Sequence, residues 1–200
     1  MLKDDRVGIT TRQFEQLQER VSGKKAVSSR EFTDHSLILG VDPSLRGTGF
    51  GVVRLDKKNP ETLEQGTVQC PAKWSRSECL VAISKKLRDV IAVHRPTVCA
   101  IEGLFYAQNP KTALIMGEAR GAALAAIAEG GLEIFEIAPR KVKQSIVGHG
   151  NAQKIAVAKM VQRMLALDEL PAPDAADALA LALTYSHLNK RFAIDPTQKL

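Results

Sequence analysis

Aromatic residues, cysteine and long apolar stretches are all scarce in this sequence. Aromatic residues make up 4% of the chain, so a platform that stacks several bases, as in RRM-type RNA-binding domains, is not expected. The three cysteines, Cys70, Cys79 and Cys99, include no CxxC spacing, which argues against a zinc site and against a disulfide framework. No apolar stretch is long enough to span a membrane, and the first residues lack the apolar core of a signal peptide. We therefore expect a reduced, cytoplasmic protein.

The composition that is present suits one globular domain with an anionic partner. The 200 residues are 44% apolar and carry a net charge of +6, a balance that allows a full core and favours a partner such as nucleic acid. Residues 1–36 are polar and are predicted to be a flexible extension. We expect the folded domain at residues 37–188 and a short tail at 189–200.

Hydrophobic periodicity predicts an α/β fold with the element order β-β-β-α-β-α-β-α-α-α. The predicted strands are 37–41, 48–55, 61–70, 98–101 and 132–137. The predicted helices are 76–94, 110–129, 139–147, 152–167 and 173–187. Short connections between the first three strands indicate an antiparallel meander. The whole order predicts a five-stranded mixed sheet flanked by helices.

Four carboxylates stand at the ends of apolar elements, where an ionised group is costly unless it is paired or binds a metal. Asp42 and Glu102 each end an apolar strand, and Asp174 and Asp177 lie in the first turn of an otherwise apolar helix. If the first and fourth strands are parallel neighbours, Asp42 and Glu102 lie side by side at the edge where α/β sheets place ligands. The sequence therefore predicts one shared carboxylate cluster.

Oxygen ligands without histidine or cysteine favour Mg²⁺, with Mn²⁺ as a substitute, and two such ions can drive phosphodiester hydrolysis.

Two other interpretations of these residues remain open at this point. Asp174 could serve only as a helix N-cap, although that does not explain Asp177. The turn at 42–49 could also be the phosphate-binding hairpin of an actin-like ATPase, but no second hairpin of that type is found.

Four ordered blocks resemble the RuvC family of Holliday-junction resolvases, over residues 37 to 187. They are LGVDPS and TGFGV at 39–44 and 48–52, AIEGLF and ARG at 100–105 and 119–121, VKQ at 142–144 with Lys154, and DAADALA at 174–180. The departures are mild: Ser44 stands where the family usually has glycine, and Phe50 where it often has tyrosine. The polar extension at 1–36 is foreign to the family pattern.

The resemblance implies an RNase H-like fold and a homodimer that nicks four-way DNA junctions symmetrically in recombination and repair. It makes Asp42, Glu102, Asp174 and Asp177 the catalytic, Mg²⁺-binding residues. It also implies that RuvA and RuvB branch-migration proteins deliver the substrate. Another RNase H-like nuclease, acting on RNA–DNA hybrids or rRNA precursors, and a non-catalytic junction binder are the remaining alternatives.

Four further residues become DNA-binding candidates through the same resemblance. Phe105 matches an aromatic residue that stacks on a base at the junction, although it could be a core residue. Lys143 and Lys154 match basic residues near the scissile phosphate. Arg120 could contact DNA or could be a structural ion-pair partner.

The helix at 110–129 carries an independent indication of the dimer. Gly117 and Gly121 lie inside it, and because glycine weakens a helix, they suggest a close backbone approach. That approach could be to the sheet or to a second subunit, and the family resemblance implies the second subunit.

Overall fold

The computed structural model describes residues 35–56, 59–103, 109–191 and 198–199. Residues 1–34 of the proposed flexible extension therefore lie outside the described residues. His35 and Ser36 contact the folded part: His35 Nδ1 lies 2.8 Å from Thr97 Oγ1, and the Ser36 carbonyl accepts from Leu55 N–H. The division of the chain at residue 37 stays a prediction.

One mixed sheet organises the chain, with the strand order β3-β2-β1-β4-β5-β6. Its strands are β1 (Leu37–Asp42), β2 (Gly47–Leu55), β3 (Pro60–Gln69), β4 (Val98–Glu102), β5 (Glu133–Ile137) and β6 (Gln198–Lys199). The helices are α1 (Arg76–His94), α2 (Pro110–Glu129), α3 (Pro139–Val147), α4 (Lys154–Met164) and α5 (Pro173–Arg191). No helix in the described ranges is long and apolar enough to cross a membrane.

The sheet confirms the predicted topology and adds one short strand to it. β1, β2 and β3 form the expected antiparallel meander, and β1 pairs with β4 in parallel. The five predicted strands and five helices are all present. The sixth strand, β6, falls in the predicted tail and pairs antiparallel with β5 at the sheet edge. Two residues are too few to show a periodicity, so the sequence did not indicate it.

Local signals fix the ends of helix α1. Ser75 caps the first turn in a reciprocal capping box with Glu78, whose carboxylate accepts from the Ser75 N–H at 2.6 Å. The helix ends at Arg95, which adopts the left-handed conformation with φ 53°. Pro96 follows and cannot continue the helix.

Alternation along the strands gives the sheet two apolar faces. On the α5 face, Ile38, Val98 and Ala100 pack with α3, α4 and α5. On the α1 face, Leu39 and Ile101 pack with α1 and α2. Because side chains alternate along a strand, Asp42 and Glu102 belong to the α5 face with Ile38 and Val98.

Glycines on β1 and β2 let α5 lie unusually close to the sheet. Gly40 and Gly51 are directly opposed, and a Cβ built at Gly40 would lie 1.9 Å from the Ala178 carbonyl oxygen of α5. Gly49 opposes Asp42, and a Cβ there would lie 2.0 Å from the Asp174 carbonyl oxygen. Any side chain at these positions would push the helix away, so the glycines set the height of α5 above the sheet.

Replacing Gly40 by alanine should destabilise the protein, because its methyl group would meet helix backbone that cannot turn aside. We expect a loss of about 3 kcal/mol or more in the free energy of unfolding, as for overpacked cores. Urea unfolding measures it. The matched control is Ala92→Ser, which adds a single atom at an exposed position of α1. That variant should stay within about 0.5 kcal/mol of the parent; equal losses in both variants would contradict the close-packing explanation.

Candidate active site

Asp42 and Glu102 meet at the carboxyl ends of two adjacent parallel strands. Val41 of β1 is in register with Ile101 of β4, which places the two acidic residues next to each other on the α5 face. The Glu102 carboxyl donates a hydrogen bond to the Asp42 carboxylate. Both residues are half-buried. The structure thus brings together the first pair of predicted site residues.

Helix α5 brings Asp174 and Asp177 to the same edge. The helix begins at Pro173, so its cap position falls on Ala172, whose carbonyl accepts from the Ala176 N–H. Asp174 lies inside the first turn, and the N-cap interpretation of this residue does not hold. A Cβ at Gly47 would lie 2.8 Å from the Asp174 Oδ2, which places that carboxylate directly over the start of β2.

Lys154 supplies a positive charge to the cluster from the first residue of α4. Its Nζ donates to Asp177 Oδ2 at 2.7 Å. The Lys154 side chain is 72% exposed while that of Asp177 is 20% exposed, so the ammonium group stands between the acids and solvent. The hydrogen bond to Asp177 raises the pKa of Lys154, and the charges of Asp42 and Glu102 add to this. Lys154 is therefore held protonated beside the carboxylates.

Burial, reinforced by repulsion between the acids, dominates the electrostatics of the site. Burial, together with the adjacent Asp42 charge, raises the pKa of the Glu102 carboxyl to about 8. Burial also raises the pKa of Asp42, with Asp177 and Asp174 adding repulsion, while the hydrogen bond from Glu102 opposes the shift. At neutral pH the Asp42–Glu102 pair therefore shares one proton.

The donor chemistry of this cluster fits a divalent cation. Within the described residues, no three acidic, histidine or cysteine side chains converge in the geometry of a metal site. Instead, a proton occupies the Asp42–Glu102 pair and Lys154 partly neutralises Asp177. A hard divalent cation relieves the same repulsion through carboxylate oxygens, which are its preferred ligands. Asp42, Glu102, Asp174 and Asp177 are the residues that would hold it.

The other predicted site residues occupy different positions. Lys143 is half-buried on α3, and in the described part of the chain no ion pair joins it to the four carboxylates. Phe105 lies outside the described residues. Arg120 is only 6% exposed, and its guanidinium donates to the Glu136 carboxylate and to the Glu102 carbonyl. The geometry thus favours the ion-pair interpretation of Arg120 over a DNA contact.

Two features of the site were not singled out from the sequence. Gly49 lies against the backbone of Asp174 in the acidic turn of α5, and Gly51 lies against Leu179. The alternate spacing of the two glycines on one strand was the available signal. Glu136, the partner of Arg120, was also missed. Its signal was a charge between two apolar residues of a buried strand.

The strand order and the flanking helices of this mixed sheet define the class of the protein as an RNase H-like fold. Comparison with known proteins then identifies the family. Residues 38–185 match the model of the family described as crossover junction endodeoxyribonuclease RuvC. The chain belongs to the RuvC family, which confirms both the fold class and the predicted enzyme class, a nuclease that resolves crossover junctions.

Individual relatives agree with this membership. The Akkermansia muciniphila crossover junction endodeoxyribonuclease RuvC is 45% identical over 159 residues, covering 80% of this chain and 92% of the relative. The Bordetella parapertussis enzyme of the same name is 44% identical over 151 residues, covering 76% of this chain and 83% of that one.

Solved structures give the same result. Thermus thermophilus RuvC in complex with a Holliday junction substrate superposes with a TM-score of 0.71 at 34% identity, covering 76% of this chain and 93% of that one. The yeast mitochondrial Holliday junction resolvase Ydc2 has a TM-score of 0.59 at 12% identity, covering 90% of this chain and 87% of that one. This second likeness concerns the fold alone.

The raised pKa of Glu102 predicts that metal-free protein loses stability as the pH rises. The folded protein holds a proton that the unfolded chain releases above its ordinary pKa of 4.5, so stability falls from that pH up to about 8. Glu102→Gln removes this dependence. In chelator, we expect the variant to be more stable than the parent at about pH 9 and similar at about pH 5 by urea unfolding.

An exposed glutamate provides the control for this prediction. Glu169→Gln, on the surface after α4, should leave the pH dependence of the parent unchanged. Parallel stability curves for the parent and Glu102→Gln would show that Glu102 is not protonated in the folded state.

Proposed function

We propose that this chain is a Mg²⁺-dependent endonuclease that resolves four-way DNA junctions by symmetric nicks in two strands, during recombination and repair. The observation that carries the proposal is the meeting of Asp42 and Glu102 on adjacent parallel strands, with Asp177 and Lys154 alongside. The junction-bound Thermus thermophilus relative supports the choice of DNA substrate. We also propose a cytoplasmic location, because the proposed substrate is DNA.

The proposed chemistry assigns a role to each part of the site. Asp42, Glu102, Asp174 and Asp177 would hold Mg²⁺, or Mn²⁺ in its place. When bound, such ions supply Lewis-acid activation of water and stabilisation of the leaving phosphodiester oxygen. The pKa of Glu102 means that this carboxyl must lose its proton to become a ligand. Binding of a cation would therefore require release of that proton.

Lys154 is the side chain best placed to contact a phosphate. It is fixed by Asp177 at one edge of the acids and is largely exposed, so an approaching phosphate can reach its ammonium group. A protonated lysine there offsets the repulsion between the acidic cluster and a polyanion, and stabilises charge in the transition state. We also propose DNA contacts for Lys143, on α3, and base stacking for Phe105.

The proposed working unit is a homodimer formed through α2. A Cβ at Gly117 or Gly121 would have no neighbour within 4 Å among the described residues, so these glycines do not serve packing against the sheet. Leu114, one turn before Gly117, is 67% exposed. Leu114, Gly117 and Gly121 thus form a partly apolar strip on α2. With no side chain at two of these positions, the strip suits close contact with a second copy of the chain. Two-fold symmetry would then provide two sites for two matched cuts. RuvA and RuvB are the proposed partners that deliver the junction.

Cleavage of a mobile four-way junction with Mg²⁺, mapped on all strands, tests the proposed activity. The parent should make paired symmetric cuts and act weakly on linear duplex and RNA–DNA hybrid. Asp42→Asn should still bind the junction. It should cut it at about one thousandth of the parent rate or below, because loss of a ligand removes several kcal/mol of transition-state stabilisation. Asp89→Asn, the same change in an exposed ion pair on the α1 side, is the matched control.

Two results would contradict this proposal. Nicking of the junction by Asp42→Asn at the parent rate would remove Asp42 from the catalytic site. Preferential cutting of the RNA–DNA hybrid would instead assign the chain to another RNase H-like activity.

The α2 interface predicts a specific loss of association. Gly121→Gln places a polar side chain on the proposed strip, where it would separate two backbones that must approach closely. Sedimentation velocity should show the parent as a dimer and the variant at least about tenfold weaker in association, equivalent to 1.4 kcal/mol. Ala92→Gln, a similar enlargement on the exposed side of α1, should leave the dimer intact. A dimer that survives Gly121→Gln would place the interface elsewhere.

A further inference from the structure

Arg120 is a buried cation whose two observed acceptors both lie beside the end of β4. It lies on α2, and its side chain is only 7% exposed. One terminal nitrogen donates to the Glu136 carboxylate, and the other donates to the backbone carbonyl of Glu102. A guanidinium presents several donors in a fixed planar arrangement, so these two contacts constrain each other.

The two ends of Glu102 are held from opposite sides of the sheet. Its carboxyl belongs to the α5 face, where it meets Asp42. Arg120 approaches from the α1 face, where the neighbouring Ala119 and Ala123 pack against the core. The guanidinium therefore contacts the backbone of Glu102 without sharing space with its carboxyl group.

The end of β4 is packed around this contact. Gly103 follows Glu102, and its N–H donates to the Ile137 carbonyl at 2.9 Å. A Cβ at Gly103 would lie 3.0 Å from Glu136 Oε1, so the absence of a side chain leaves room for the Glu136 carboxylate. Glu136, Arg120 and the last residues of β4 therefore pack against one another at the end of the strand that carries Glu102.

We propose that Arg120 is a positioning residue, which fixes the backbone at the end of β4 and thereby the place from which the Glu102 carboxyl reaches the site. This inference rests on the proposed function, in which Glu102 is a metal ligand. Arg120 touches neither substrate nor metal. Its effect is on how well Glu102 is held, as for the outer groups that orient ligands in metal sites.

The test compares variants that differ in what they remove. Arg120→Lys keeps the charge beside Glu136 but cannot span both acceptors, while Glu136→Gln keeps an acceptor for Arg120 and leaves its contact with the Glu102 carbonyl. In single-turnover junction cleavage, at a temperature where every variant is folded, Arg120→Lys should be about tenfold slower. Glu136→Gln should change the rate by about twofold or less, and junction affinity should stay within about twofold of the parent in both.

A second measurement reads the site without catalysis. Mn²⁺ binding, followed by electron paramagnetic resonance in the absence of DNA, should be several-fold weaker in Arg120→Lys and near the parent value in Glu136→Gln. Arg88→Lys makes the same change in an exposed ion pair between α1 and Glu129 of α2, and is the matched control for Arg120→Lys. It should match the parent in both measurements.

The outcomes separate the two proposals. A folded Arg120→Lys with the cleavage rate and the Mn²⁺ affinity of the parent overturns the positioning role. Equal losses in Arg120→Lys and Glu136→Gln also overturn it, because they would indicate a stabilising ion pair only. If the parent cuts no junction, the proposed function fails, while the Mn²⁺ comparison still decides whether Arg120 positions Glu102.

Discussion

The close contact between α5 and the glycine-lined strands β1 and β2 is the constraint on which the site depends. Asp174 and Asp177 belong to the helix, whereas Asp42 and Glu102 belong to the sheet, and side chains this short meet only if the two layers nearly touch. A Cβ at Gly40 or Gly49 would fall within about 2 Å of the helix backbone. The glycines reduce strand propensity at these positions, and that local cost is offset by the packing of the largely buried apolar helix.

The carboxylates that the fold brings together repel one another, and the structure answers this repulsion locally. Glu102 stays protonated and donates a hydrogen bond to Asp42, and the Lys154 ammonium group pairs with Asp177. Both arrangements are reversible, since a proton can leave and an exposed lysine can swing towards solvent. The site is thus preorganised in position but retains the negative charge that a cation would need.

The sequence predicted the strands and helices because each depends on a local or strongly periodic signal, and the meeting of Asp42 and Glu102 followed from the expected pairing of their strands. Apolar runs ended by Asp42 and Glu102 fix both the strands and their polar ends. The contacts of Arg120 could not be predicted, because a charged residue in a helix shows nothing of what lies opposite it after folding. The pairing of β6 with β5 likewise depends on how distant segments pack, which two residues cannot indicate.

The ion pair between the buried Arg120 and the half-buried Glu136 is poorly explained by stability alone. Removing the guanidinium and part of the carboxylate from water is costly, and replacing a buried pair by well-packed apolar residues is often neutral or stabilising. What an apolar pair could not do is donate to the Glu102 carbonyl from a rigid, planar group. Because α2 carries both Arg120 and the glycines proposed to meet a second copy, one helix would connect the proposed dimer contact to the backbone of Glu102. In the proposed role, the ion pair would set geometry at a site where small displacements of a ligand would matter.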